Sequence, residues 1–352
     1  MPPDETRTIS GILASARIIA LAMVIAFCYW ASTVVLTLLI AVLMAYFLDP
    51  VVTGLEKIHI PRALGALCVV LVTLALIAAL GWLMVDRMDQ FGRDWPQYRA
   101  PVRSALQAVQ KKMEILEQRV SEIEPQAHNA PKILTVAESH PIRNALLGKL
   151  NSLYTFLFAA TFVPFLLFFM LAAKRQVMDA TMQLFPPDER ERATAALADV
   201  TRVLRGYVVG TALVALMLVG VSWLFFWSLG LDFPFLTALV SGLCNLIPYI
   251  GAILSWVPPF LVGLKRFHTP APFVGIFAVL TFVHIITANL LIPALIGWRV
   301  RLNALALTIS LLFWGWLWGA LGLLLAIPIT AVLKVICDNV ERWRPVGRWL
   351  SA

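Results

Sequence analysis

Two interrupted apolar stretches carry the groups best suited to handling a polar solute. One reads Asn245-Leu246-Ile247-Pro248-Tyr249-Ile250-Gly251, the other Asn289-Leu290-Leu291-Ile292-Pro293-Ala294-Leu295-Ile296-Gly297. They differ by two added residues, one on each side of the Pro. Proline removes a backbone N–H and frees the carbonyl four residues earlier, which for Pro248 is Cys244. In hydrocarbon such a group must find its partner in protein or in a water-lined cavity. Paired Pro/Gly-broken apolar segments are a sequence pointer to a transporter's binding site. On this reading Asn245 and Asn289 hydrogen-bond the solute and Pro248 and Pro293 break the helices. Gly251 and Gly297 admit close backbone, and Tyr249 lines the same pathway. A plain proline kink filled by neighbouring helices is the competing reading, and the repeat is too short to establish an internal duplication.

His284 is the one titratable side chain placed deep in an apolar run, and with Thr281, Thr287 and Asn289 it makes a partly polar stripe. An ionisable group within a membrane is a default site hypothesis, and imidazole can take up a proton near physiological pH. A histidine hydrogen-bonded to a neighbouring helix is the structural alternative. Trp314, Trp316 and Trp318 read as interfacial aromatics. Gly315 with Gly319 and Gly206 with Gly210 are small-xxx-small pairs that allow close helix packing.

Enzymatic signatures are missing. The chain has no H-E-x-x-H, no G-x-S-x-G, no phosphate-binding G-K-[ST] loop and no EF-hand spacing. No catalytic activity, cofactor or metal is expected, and an ATP-driven pump within this chain is disfavoured. Cys28, Cys68, Cys244 and Cys337 lie in or beside apolar stretches without metal-ligand spacing and read as small apolar residues. The net charge of +8 comes with no basic cluster interleaved with aromatics, so nucleic acid is not expected as a partner. Most Lys and Arg instead sit at the ends of apolar runs.

The elements that must hold these residues are membrane helices. Of the 352 residues 60% are hydrophobic and 14% charged, against about 45–50% and about 25% in soluble domains. Mean hydropathy is +0.84. Spans of about 20 apolar residues are expected at 12–30, 33–48, 63–85, 150–173, 206–229, 235–264, 271–292 and 303–336, with no acidic residue inside any. Arg7 and Arg17 precede the first, but no A-x-A site follows, so it reads as retained rather than cleaved. The fold class expected is all-α, polytopic, with about eight transmembrane helices or helical hairpins.

Lys57, Arg62, Lys174, Arg175, Arg202, Arg205 and the Arg342–Arg348 tail place both termini inside and the polar insertion outside. Arg299 and Arg301 then fall on the wrong side, unless 235–264 and 303–336 are hairpins. The chain divides into a three-span segment at 1–85, a helical extracytoplasmic insertion at 86–149 and a transmembrane core at 150–352. Within the insertion Val102, Leu106, Val109, Met113, Leu116, Val120 and Ile123 alternate spacings of four and three, the seam of a coiled coil. Intrachain packing and subunit contact are both open for it. Ser139 is expected to cap the next helix, with Pro141 in its first turn. Residues 186–210 read as an amphipathic helix on the inner surface, with Ala195, Leu197, Val200, Val203 and Leu204 on its apolar face.

Five stretches together resemble the autoinducer-2 exporter (AI-2E) family of bacterial membrane proteins. They are "AYFLDPVVTGLEKIHIPRALG" (45–65), "LRGYVVG" (204–210), "NLIPYIGAIL" (245–254), "NLLIPALIGWRVRLNALAL" (289–307) and "GALGLLLAIPITAVLKVI" (319–336). The resemblance implies a multi-pass, homo-oligomeric inner-membrane protein that exports a small polar signal or metabolite. Some relatives are described as sodium/proton antiporters. Arg205, Gly206, Gly210, Asn245, Pro248, Gly251, Pro293 and Gly297 match marked positions of the family pattern. Relatives often carry Gln where this chain has Thr211, and Gln and an acid where it has His284 and Thr287. The missing acid argues against direct carboxylate-mediated proton or sodium coupling. The leading expectation is a secondary transporter or facilitator for an autoinducer-2-like solute. The alternatives are a sodium or lithium/proton antiporter using His284, and a structural or regulatory oligomer that transports nothing.

Overall fold

In the computed structural model, residues 3–123, 141–248, 250–297 and 302–351 are described, and every element among them is helical. Six helices are long and apolar enough to cross a membrane: Ser32–Lys57, Arg62–Arg87, Tyr154–Ala172, Arg190–Ser228, Ala271–Leu295 and Ala304–Asn339. The polytopic all-α reading holds. Two compact units emerge, one built from Met1–Ala75, Thr155–Ala212 and Leu290–Ala352, the other from Leu76–Tyr154 and Leu213–Asn289.

In the first unit, α1 (Pro3–Trp30), α2 (Ser32–Lys57), the start of α3 (Arg62–Ile123) and α4 (Pro141–Ala172) are joined by short turns or by packing. Leu48 and Val52 of α2 meet Ala66, Val69 and Val70 of α3 and Leu167 and Leu171 of α4 in one buried cluster. The apolar run predicts an end to the second span at residue 48, before Asp49 and Pro50. The helix instead continues to Lys57 with Pro50 inside it. The absence of an acid from every span is therefore corrected: Asp49 is buried within α2, 8% exposed. Two further expectations shift for the same reason, that helices outrun their apolar stretches. α3 holds 62 residues, about 93 Å of rise, so the third span enters the insertion without a break. α6 (Arg190–Ser228) is one helix of 39 residues, so residues 190–210 are not a separate helix lying on the inner surface.

Exposed Arg103, Ser104, Gln107, Gln110 and Lys111 mark the polar face of α3 in the insertion. The seam side chains of Val102, Leu106, Val109, Met113, Leu116, Val120 and Ile123 lie outside the described ones, as does Ser139. Pro141 is the first residue of α4.

Both long apolar stretches left open by the sequence are hairpins. α7 (Pro234–Cys244) and α9 (Val257–Arg266) have 11 and 10 residues, about 15 Å each, half of what a crossing needs. They run antiparallel, separated by the short α8 (Ile250–Leu254). Lys265 at the end of α9 lies 3.4 Å from Asp232 at the entrance to α7. At the far end Ser241 Oγ donates to the Ser255 carbonyl at 2.6 Å. Ala238 and Val262 share a core with Phe226 of α6 and with Ile276 and Leu280 of α10 (Ala271–Ile286). Gly242 seats α7 on Val219 of α6, where a Cβ would collide with the valine side chain.

The second hairpin is α11 (Ala304–Asn339), which reverses at Gly319 with φ 62° and ψ −139°, backbone that favours glycine. Trp314 Nε1 donates to Thr330 Oγ1 at 3.3 Å. Sixteen residues of straight helix would separate them by about 24 Å. A Cβ on Gly322 would collide with the Trp314 carbonyl. Gly315 and Gly319 thus serve one chain folding on itself, and Trp318 Nε1 donates to the Cys28 carbonyl of α1 at 3.0 Å. The C-terminal α12 (Arg344–Ser351) closes on the start of α11. There Asn303 N and Nδ2 donate to the Leu350 and Trp349 carbonyls at 2.9 and 2.6 Å.

A cysteine pair tests the reversal at Gly319. A Cβ at 315 would lie 2.7 Å from Leu323 Cδ2 and 3.1 Å from its Cγ. Gly315→Cys with Leu323→Cys should therefore oxidise to an intrachain disulfide in the membrane, seen as loss of two free thiols on mass spectrometry. In a straight helix the two sites stand about 12 Å apart and cannot bridge, so persistent thiols would restore the straight helix.

Candidate functional site

The break at 245–251 is a turn between antiparallel helices. Asn245, half-buried, caps the end of α7 with its N–H donating to the Ser241 carbonyl at 3.1 Å. The Cys244 carbonyl, freed by Pro248, accepts from Ile247 N at 3.1 Å. The turn itself therefore satisfies it. Gly251 is buried against the same carbonyl, and a Cβ there would strike it and lie 2.9 Å from Asn245 Cα. Tyr249 lies outside the described residues.

The echo at 289–297 has a different backbone. There α10 runs on into π-helical turns at Thr287–Leu291 and Pro293–Gly297. Pro293 removes the donor that the Asn289 carbonyl would use and crowds it, and widening the helix accommodates both effects. The two sequences are alike, yet one reverses the chain and the other only widens it. Asn289 is exposed, its Nδ2 donating to the Ile285 carbonyl at 2.9 Å, and Pro293 is exposed too. Among the described residues no hydrogen bond joins the 245–251 turn to the 284–289 segment.

The stripe on α10 has sharper geometry. Thr281 Oγ1, His284 Nδ1 and Thr287 Oγ1 are all buried atoms without a hydrogen-bond partner. Residues three apart share a helix face, so the three atoms line one side of α10. Thr287, 3% exposed, stands where the helix begins to widen. An unpaired buried hydroxyl costs about 1–3 kcal/mol, and natural proteins keep few of them without a reason. On α6, Gly206 and Gly210 are buried and Arg205 is exposed. Thr211 is half-buried, one helical turn after the buried Tyr207.

One cluster escaped the sequence reading. Asp49 accepts from Arg62 Nη2 and from Lys174 Nζ, each at 2.7 Å. Arg62 also donates from Nε to the Leu171 carbonyl at 2.8 Å and pairs with Glu56 at 3.2 Å. Glu56 in turn pairs with Arg175 at 3.0 Å. Five charges thus tie α2, the first turn of α3, the end of α4 and the start of α5 (Lys174–Gln183). Asp49 and Lys174 form the polar wall of a cavity of about 610 Å3 otherwise lined by side chains such as Val42, Phe169 and Met178. The signal was present: each charge sits at the end of an apolar run. Taken one at a time, such residues mark topology, and only the packing of four helices makes them partners.

Removing one member of a largely buried pair leaves the rest uncompensated, at about 3–5 kcal/mol. Asp49→Asn should lower the midpoint of thermal unfolding in detergent strongly, and Arg62→Gln nearly as much. The double variant should fall well short of the sum, because the two act as a unit. Additive losses would mean that Asp49 and Arg62 act separately.

A sequence profile of AI-2E family transporters matches residues 18–342. The putative transport protein YrrI of Bacillus subtilis is 28% identical over 323 residues, covering 89% of this chain and 88% of its own length. YhhT of Escherichia coli K12, also a putative transport protein, is 25% identical, with 96% and 93% covered. The AI-2 transport protein TqsA of the same strain is 25% identical, with 98% and 97% covered. With the profile spanning nearly all of its length and similar proteins named for transport, this chain is a member of the AI-2E transporter family.

Proposed function

We propose that the protein is a secondary transporter or facilitator exporting a small polar solute across the bacterial inner membrane. The α10 face of Thr281, His284 and Thr287 is the part that meets the solute. The observation that carries this reading is the set of three buried polar atoms without partners on one face of a membrane helix. Two hydroxyls and an imidazole nitrogen supply both donors and acceptors, which suits a neutral hydroxylated molecule better than an ion of either sign. The name of TqsA as an AI-2 transport protein supports a signal of the autoinducer-2 type as the first solute to try. The breaks at Asn245–Gly251 and Asn289–Gly297 would let the flanking helices shift around that face.

The hairpins also support an orientation with both termini in the cytoplasm. If α7–α9 is not a crossing, the number of crossings before residue 298 changes by one, and the basic residues Arg299 and Arg301 no longer conflict with both termini inside. A second hairpin, α11, that enters and leaves on the inner side then returns the Arg342–Arg348 tail there. Arg299, Arg301 and the tail are then consistent with the positive-inside rule, with Lys265 and Arg266 at the end of α9 as exceptions on the outer side.

Thr287→Val separates function from packing. Replacing an unpaired buried hydroxyl by a methyl group of similar size should leave the protein as stable as before, or more so by about 1 kcal/mol. Uptake of autoinducer-2 into everted vesicles should nevertheless fall about tenfold, for the loss of one hydrogen bond worth about 1.4 kcal/mol. Undiminished uptake by a well-folded Thr287→Val protein would remove the α10 face from the pathway.

A cation/proton exchange reading has one observation in its favour, the unpartnered His284 Nδ1. It requires that sodium- or lithium-driven pH change in vesicles disappear in His284→Gln. Exchange that persists in that variant excludes the histidine as proton carrier.

A further inference from the structure

We propose that the cavity at the mouth of the α7–α9 hairpin binds a soluble organic anion, a carboxylate carried on an apolar body. The cavity measures about 520 Å3, within the range of small-molecule sites, roughly 300–1,000 Å3. Its walls divide by chemistry. Leu83 and Met84 of α3 and Phe235 of α7 form an apolar side, while Arg87, Asp232 and Lys265 carry the charge. It shares no residue with the α10 face and stands whether or not that face carries a solute.

The lining carries two cations against one carboxylate, with a second acid, Asp86, beside Arg87 but outside the lining. Asp232 lies 3.4 Å from Lys265 Nζ, so that carboxylate is turned to the lysine. Arg87 is more weakly engaged. Its nearest carboxylate, Asp86, stands 3.9 Å from Nε, at the limit of ion pairing. One of its N–H groups donates to Gln90 Oε1 at 3.1 Å. A guanidinium carries five N–H donors in a planar fork that matches a carboxylate two bonds at a time. Most of that fork stays available to a ligand. Phe233 starts α7 without a side-chain cap, so the positive end of the helix dipole adds to the same sign of potential.

The apolar wall sets the rest of the ligand. A bare inorganic anion would leave Leu83, Met84 and Phe235 uncovered, whereas an alkyl or aryl body gains from burying them. Asp232 at the rim disfavours a dianion, which argues for a monocarboxylate over a phosphate monoester. A ligand so held would join α3 to the hairpin.

The test uses the full-length protein in phosphatidylcholine nanodiscs, with octanoate as probe, octanol as its uncharged match and protein-free discs as background. Octanoate should bind saturably and octanol should not. Arg87→Gln should weaken octanoate about tenfold, the loss expected for a charge-assisted hydrogen bond, and Arg87→Lys should weaken it less. Arg348→Gln, which removes a charge elsewhere, should bind as wild type does. If Arg87→Gln does not fold, Lys265→Gln combined with Asp232→Asn reads the same field without leaving a lone carboxylate, and weaker binding is again expected. Equal binding of octanoate and octanol would overturn the proposal, as would wild-type affinity in every cavity variant. Discs containing phosphatidylglycerol separate the remaining source. If that lipid stabilises the wild type and abolishes octanoate binding, a lipid headgroup holds the site and the soluble-anion proposal fails.

Discussion

Asp49 gives its two oxygens to cations from two different parts of the chain, Arg62 and Lys174. The cost of burying these charges is large, and apolar residues of similar volume would often serve stability as well. Apolar contacts are non-directional, however, and a helix in lipid can slide or rotate with little change in buried area. The charges remove that freedom. Arg62 Nε also satisfies a carbonyl in the last turn of α4, where helix carbonyls lack internal partners and cations are favoured. One side chain thereby fixes where α4 ends, where α3 begins and how far α2 must run to present its acid. The Leu48–Leu171 cluster packs in the register that these bonds define.

Much of the fold was legible because apolar runs in a membrane chain have few alternatives. One end of each of α2, α4, α6 and α10 stands within a residue of its expected place. What failed was the assumption that a helix stops when its hydrophobicity does. α2 passes through Asp49-Pro50 because the acid finds cations across the chain. α6 begins sixteen residues before its expected span, since a continuous helix serves the polar stretch as well as the apolar one. The hairpins were only half legible. Arg299 and Arg301 exposed an inconsistency in any model of simple crossings, but no single residue announced the reversal at Gly319. Glycines are common in membrane helices, and only the positive φ distinguishes this one.

The candidate site shows the same division. Thr281, His284 and Thr287 could be picked out by spacing because helical periodicity is a local property. That their polar atoms find no partner depends on what every neighbouring helix presents, which spacing does not encode. The likeness of 245–251 to 289–297 misled for a related reason. Pro and Gly announce that a helix is interrupted, whereas the surroundings decide whether the chain turns back, as after Cys244, or widens and continues, as after Thr287.

The seat of Gly242 on Val219 bears on how this molecule is built. Neither α7 nor α9 can be stabilised by lipid alone, because each reaches only halfway and leaves polar chain ends in hydrocarbon. Their site of burial exists only once α6 is already in place, and Ile276 and Leu280 of α10 complete it afterwards. Such packing calls for a hierarchy in biogenesis, in which the full crossings form the space that the half-length pair fills. Crowding at residue 242 would act at that step, as a failure of maturation that leaves α6 inserted and the hairpin without a berth.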